Sequence, residues 1–143
     1  MGTFQIEGGI RLKGDVTPQG AKNEALQILC AVLLTPEKVT INNIPDIIDV
    51  NKLITLLGNL GVKTQKNGPG SITFQSDDVN VGYLETEAFK KEGGSLRGSI
   101  MIVGPLLARF GKGYIPKRAK SGPTIMIDPL KLPPSFLKAS VSR

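Results

Sequence analysis

The chain of 143 residues contains no histidine and no tryptophan, and its single cysteine is Cys30. Without histidine there is no imidazole for acid–base chemistry near neutral pH, no Ser-His-Asp arrangement and no His-ligated zinc. A lone cysteine excludes an intrachain disulfide and any multi-cysteine metal site. Long apolar runs are missing too. The longest, Ile28 to Leu34, falls far short of the about 18 residues that a membrane-spanning helix needs. The opening Met1-Gly2-Thr3-Phe4-Gln5 lacks the basic stretch and apolar run of a secretory signal. These absences lead to the expectation of a soluble, cytoplasmic protein. The 40% hydrophobic share is enough for a packed core.

Charge is unevenly spread. Residues 1–111 carry 11 Lys/Arg and 11 Asp/Glu, so the formal charge of +6 sits in the last 32 residues. There Lys112, Lys117, Arg118, Lys120, Lys131, Lys138 and Arg143 face a single acid, Asp128, and five of the ten prolines crowd the same stretch. The break marks a boundary near Lys117. The basic tail holds one aromatic, Phe136, which is little for specific nucleic-acid binding. Non-specific attraction to polyanions at low salt is expected of it.

Alternation predicts a hairpin from Thr3–Ile6 and Ile10–Val16 around Gly8-Gly9. A helix follows over Ala21–Leu34, apolar around most of its circumference and therefore expected to be enclosed between layers. Lys38–Asn42 reads as a strand. The next helix runs to about Leu60, capped by Asp46 or Asp49, with Val50, Leu53, Ile54, Leu57 and Leu60 on one face and Gly61 ending it. Val62–Lys66 and Ser71–Gln75 flank Asn67-Gly68-Pro69-Gly70 as a hairpin. The stretch from Asp77 to Lys91 fits no pattern. Leu96–Phe110 reads as a third helix, which Pro105 kinks or restarts, and Gly113–Ile115 begins a strand. Alternating helices and strands describe an α/β layered domain.

Two places could carry chemistry. In Gly20-Ala21-Lys22-Asn23-Glu24 a lysine and an amide stand at the start of a helix, where free N–H groups and the positive dipole end favour an anion and disfavour a cation. A bound phosphate or carboxylate would make sense of Lys22. The alternative is a Lys22 extended to solvent and an Asn23 that merely caps the helix. In Gly93-Gly94-Ser95-Leu96-Arg97-Gly98-Ser99, Arg97 stands in a first helical turn beside small residues and could clamp an anion bidentately. The alternative there is a flexible glycine loop with a solvated Arg97. Cys30, among Ile28, Leu29, Val32 and Leu33, reads as a small hydrophobe. The carboxylates form no acid–base pair, and the glycine runs match neither a P-loop nor a dinucleotide fingerprint.

Four motifs in order carry a resemblance. They are Gly20-Ala21-Lys22-Asn23 with its apolar helix, Ile44-Pro45-Asp46-Ile47-Ile48-Asp49-Val50, Leu96-Arg97-Gly98-Ser99-Ile100, and Gly104-Pro105-Leu106-Leu107-Ala108-Arg109-Phe110-Gly111. From about Thr3 to Lys117 the chain resembles the UDP-N-acetylglucosamine 1-carboxyvinyltransferase family, and enolpyruvylshikimate-phosphate synthases fit less well. The resemblance implies transfer of the enolpyruvyl group of phosphoenolpyruvate to the 3′-hydroxyl of UDP-N-acetylglucosamine, the first committed step of peptidoglycan synthesis. It implies addition and elimination through a tetrahedral intermediate, with no metal and no organic cofactor. It also implies two similar domains of βαβαββ units around buried helices, with ligands between them. Residues 1–20 would then belong to the second domain and residues 21–117 to an incomplete first domain. Lys22 would contact phosphoenolpyruvate, Asn23 would help bind it or the sugar nucleotide, and Arg97 would contact the anionic groups.

The resemblance stops at Lys117. The family continues with a Pro-Gly-Gly loop carrying the acid, Cys or Asp, that protonates the enolpyruvyl methylene, and then with a Gly-Ala-Arg-Pro-like stretch. Here Arg118-Ala119-Lys120-Ser121-Gly122 follows, and Asp128, in Ile127-Asp128-Pro129, does not match the acid's setting. The second domain, with its proposed aspartate base, is likewise expected to be missing. Residues 118–143 are therefore expected to be foreign to the family, as a reading-frame shift or a cloning junction would leave them. The other reading is a genuine short protein with a different C-terminus. With no residue assigned as catalytic, the chain is expected to lack turnover. Exposed interdomain surface is expected to drive self-association. The alternative function is a non-catalytic α/β module that binds an anion or a partner.

Overall fold

The apolar stretch after Gly20 forms helix α1 (Lys22–Ala31), which tightens into a 3₁₀ turn over Val32–Leu34 before Pro36. In this computed structural model residues 3–9, 11, 13–115 and 125–127 are described. α1 is not enclosed on all sides, contrary to the expectation from its composition. Ala25, Leu26, Leu29 and Cys30 are buried, whereas Gln27, Ile28 and Ala31 face outward, as does Leu34 just beyond. Its neighbours, the second helix and a 3₁₀ segment at residues 97–102, cover one stripe of the helix only.

Strand β1 (Lys38–Ile41) and the hairpin β2 (Lys63–Gly68) and β3 (Ser71–Gln75) form an antiparallel sheet in the order β1-β3-β2. Register sets Phe74 of β3 opposite both Val39 and Thr64. Ile72 and Phe74 point into the core on alternate positions, as a half-buried strand requires. The expected turn at 67–70 is present. Gly70 takes a left-handed φ of 65°, and its carbonyl accepts from the Ile44 N–H at 2.8 Å, which ties the hairpin tip to the chain entering helix α2 (Ile48–Asn59). α2 buries Val50, Leu53, Leu56 and Leu57, and Leu60 follows them inward.

The stretch that fits no sequence pattern becomes a 3₁₀ segment, Val81–Glu85, and helix α3 (Glu87–Ser95). Thr86 supplies the start signal: its Oγ1 accepts from the Phe89 N–H at 3.2 Å. Gly93 and Gly94 lie inside α3, so the alternative of a flexible glycine loop does not hold for them. The single helix expected over Leu96–Phe110 is divided. Leu96 is extended, Arg97–Ile102 is 3₁₀, and helix α4 (Val103–Phe110) begins just before Pro105. Pro105 thus falls in a first turn, where its missing N–H costs no internal bond. Gly111, with φ 67°, closes α4.

The expected N-terminal hairpin is not seen among the described residues, none of which between 3 and 20 lies in a strand. Phe4, Ile6 and Val16 are at least 90% exposed, so this stretch has no apolar face to pack on, and an isolated two-stranded hairpin is marginal in water. Strand β4 (Gly113–Ile115) pairs antiparallel with β5 (Ile125–Ile127), which lies within the tail 118–143. Asp128 and the remainder of the tail lie outside the described residues. No helix among the described residues is long and apolar enough to cross a membrane. The assembly is a mixed α/β partial domain: helices on a small antiparallel sheet around one core.

Candidate functional site at the starts of two helices

Lys22 is the first residue of α1. The preceding Ala21 is extended and provides no side-chain cap, so the first-turn N–H groups of α1 receive no bond from the N-cap side chain. Asn23 lies inside the helix and is exposed, which removes its reading as the cap. Lys22 does not simply extend to solvent either: its Nζ forms an ion pair with Oδ2 of Asp49, and both side chains stay partly exposed.

Asp49 is the second residue of α2. The expectation that Asp46 or Asp49 caps this helix is not met. The N-cap is Ile47, without a side-chain bond, and Asp46 accepts instead from Asn51 Nδ2 at 2.7 Å. A five-residue reach to Asn51 uses the carboxylate that would otherwise turn to the helix N–H groups. Asp49 therefore sits at the positive end of α2 with its charge offsetting Lys22, which sits at the positive end of α1. The two helix starts are joined by this pair.

Arg97 heads the 3₁₀ segment rather than an α-helix, because Leu96 breaks the helix before it. Ser99 is buried, and its Oγ donates toward the carbonyls of Gly93 at 2.7 Å and Leu96 at 2.8 Å, fastening the segment to the end of α3. A Cβ on Gly98 would stand 3.3 Å from Leu26, so the backbone beside Arg97 runs directly against α1. Leu26 is one turn beyond Lys22 on the same helix face. The backbone of residue 97 is thus near the face bearing Lys22; the Arg97 side chain itself lies outside what is described.

Asp49 is the member of this constellation that sequence reasoning assigned differently. Its position in a first turn was legible, but its partner belongs to another helix, and no local pattern encodes that pairing. Arg109 is a structural clamp. Its Nη1 donates to the carbonyls of Leu33 at 3.1 Å and Ser76 at 2.8 Å, and its guanidinium lies over the Phe110 ring. Cys30 is 2% exposed, and burial pushes its thiol up to about 12, so it packs as a hydrophobe and is not an ionised nucleophile. An open recess of about 280 Å³ lies beside the entry to α1, lined by Gly20, Ala21, Glu24, Ile28, Asn42 and Asn43 among others.

Comparison with known proteins agrees with the resemblance. The family model for EPSP synthase (3-phosphoshikimate 1-carboxyvinyltransferase) matches residues 6–119. UDP-N-acetylglucosamine 1-carboxyvinyltransferase of Bacteroides fragilis strain YCH46 is 56% identical over 117 residues, covering 82% of this chain and 27% of the relative. The protein of the same name from Porphyromonas gingivalis strain W83 is 51% identical over the same shares. That from Pectobacterium atrosepticum is 43% identical over 115 residues, 80% of this chain and 26% of the relative. The chain spans about a quarter of the length of these curated relatives. With the match running through α1, the sheet, α2 and α4, the chain belongs to the EPSP synthase family of carboxyvinyltransferases.

Proposed function

We propose that this chain carries the phosphoenolpyruvate side of an enolpyruvyl-transfer site whose acceptor is the 3′-hydroxyl of UDP-N-acetylglucosamine, a cytoplasmic reaction of cell-wall synthesis. The acceptor hydroxyl gives up its proton to a base as its oxygen bonds to C2 of phosphoenolpyruvate, while C3 takes a proton from an acid. The bond from C2 to the phosphate oxygen then breaks, phosphate leaves with the electron pair, and loss of a C3 proton restores the double bond. Both phosphoenolpyruvate and the tetrahedral intermediate carry a carboxylate and a phosphate, so the site needs cations and N–H donors held in place. Lys22 supplies the ammonium at the uncapped start of α1, Asn23 an amide beside it, and Arg97 a second cation. The observation that supports this reading most directly is the Lys22 ammonium held at the junction of two helix starts. Residues 21–117 form part of the first domain of such an enzyme, residues 1–20 belong with its second domain, and the tail 118–143, all but its first two residues beyond the family match, is foreign to it.

The chain on its own does not turn over, because Arg118-Ala119-Lys120-Ser121-Gly122 stands where the family has its acid-bearing loop. Phosphate release from phosphoenolpyruvate and UDP-N-acetylglucosamine is expected to stay at background. Titration with phosphoenolpyruvate is expected to show saturable binding, weakened about tenfold or more by Lys22→Ala, which removes a charge-assisted contact. Turnover that disappears in Lys22→Ala contradicts the first expectation, and binding untouched by the substitution contradicts the second. Salt-sensitive binding to heparin without binding of phosphoenolpyruvate would favour an anion-binding module instead.

Self-association is also expected. Ile28, Leu34, Ile100 and Met101 are each at least 42% exposed, an apolar content on α1, the 3₁₀ turn that follows it and the 3₁₀ segment at 97–102 that water disfavours. Sedimentation velocity should show concentration-dependent dimers or larger species. A single monomer boundary at all concentrations would contradict this.

A further inference from the structure

The ion pair at the helix starts joins a residue assigned to substrate binding with one that has no assigned role. Lys22 has a long, flexible stem, and at the positive end of α1 the helix dipole repels its ammonium. Left alone, the side chain would swing away into water. Asp49 Oδ2 holds it instead, from the first turn of a different helix. The anchor is firm on both sides. α2 is fixed by its buried Val50, Leu53 and Leu57, and the chain entering it is tied to the β2–β3 turn through the Ile44 N–H and Gly70 carbonyl. We propose that Asp49 is a positioning residue: it holds the Lys22 ammonium between the starts of α1 and α2 before ligand arrives, so that phosphoenolpyruvate meets a cation already in place. This rests on the assignment of Lys22 to phosphoenolpyruvate binding. Preorganisation of this kind lowers the ordering cost that binding would otherwise incur.

The sign of one substitution separates positioning from mere proximity. Asp49→Asn removes a negative charge beside an anion site, and Coulomb's law alone predicts tighter binding of a multiply charged anion. Loss of positioning predicts the opposite. Phosphoenolpyruvate is titrated into the full 143-residue chain as wild type, Lys22→Met and Asp49→Asn. Amide NMR spectra confirm that each variant is folded, and ¹⁵N relaxation of the Lys22 ammonium is followed before ligand is added. The expected result is an ordered ammonium in the wild type, a mobile one in Asp49→Asn, and phosphoenolpyruvate affinity about threefold to fivefold weaker in that variant, the scale of a partly exposed pair. Equal or tighter binding in Asp49→Asn overturns the proposal, while loss of binding in Lys22→Met leaves the Lys22 assignment standing. Binding that is the same in the wild type and Lys22→Met, or absent from the wild type, overturns the assignment and the proposal together.

Discussion

Phe74→Ala is expected to destabilise the fold by about 3–5 kcal/mol, a large share of the about 5–15 kcal/mol that holds a domain together. Phe74 lies in β3, the central strand of the sheet, and is fully buried. It faces Val39 across one ladder and Thr64 across the other, so the void would open where both strand pairs meet. Neither neighbouring strand can close it, because each is held in register by its own hydrogen bonds. Urea unfolding followed by circular dichroism measures the loss. A midpoint close to that of the wild type would show that the sheet is not packed around this ring.

Gly20→Ala should have the second-largest effect and should damage the site as well as the fold. A Cβ on Gly20 would stand 2.0 Å from the Asn43 carbonyl oxygen and 3.1 Å from Cδ of Pro45. The first of these atoms is backbone and cannot rotate aside. Either the entry to α1 shifts, carrying Lys22 and Asn23, or residues 43–45 shift, carrying the start of α2 and Asp49. Both routes separate the partners of the ion pair. We expect a loss of about 1–3 kcal/mol by urea unfolding, as for other overpacked positions, together with loss of phosphoenolpyruvate binding. Gly104→Ala is the matched control: nothing lies within 4 Å of its Cβ, it is in α4, and alanine favours a helix. Equal stability of the two variants would mean that Gly20 does not make the close approach seen here.

A bound ligand would be placed by elements of quite different legibility. α2 was readable because Val50, Leu53, Leu57 and Leu60 recur at helical spacing and all are buried; only Ile54, read onto the same face, stays partly exposed, while the unforeseen Leu56 is buried. The β2–β3 hairpin was readable from Asn67-Gly68-Pro69-Gly70, and the restart of α4 from Pro105. The identity of Lys22, Asn23 and Arg97 as candidate residues came from their motifs, which the family match to residues 6–119 accompanies.

Periodicity, turn residues, proline breaks and the order of the family motifs depend on neighbours along the chain, and these were legible. The sequence could not show that the described residues of 3–20 stay out of strands, because alternation marks a strand only if another surface takes its apolar side, and Phe4 and Ile6 are exposed. It could not show that α1 is covered along one stripe alone, since composition says how apolar a helix is but not how many neighbours reach it. Nor could it show that Asp49 belongs to Lys22. The two are 27 positions apart, and only the packing of α1 against α2 sets their charges side by side.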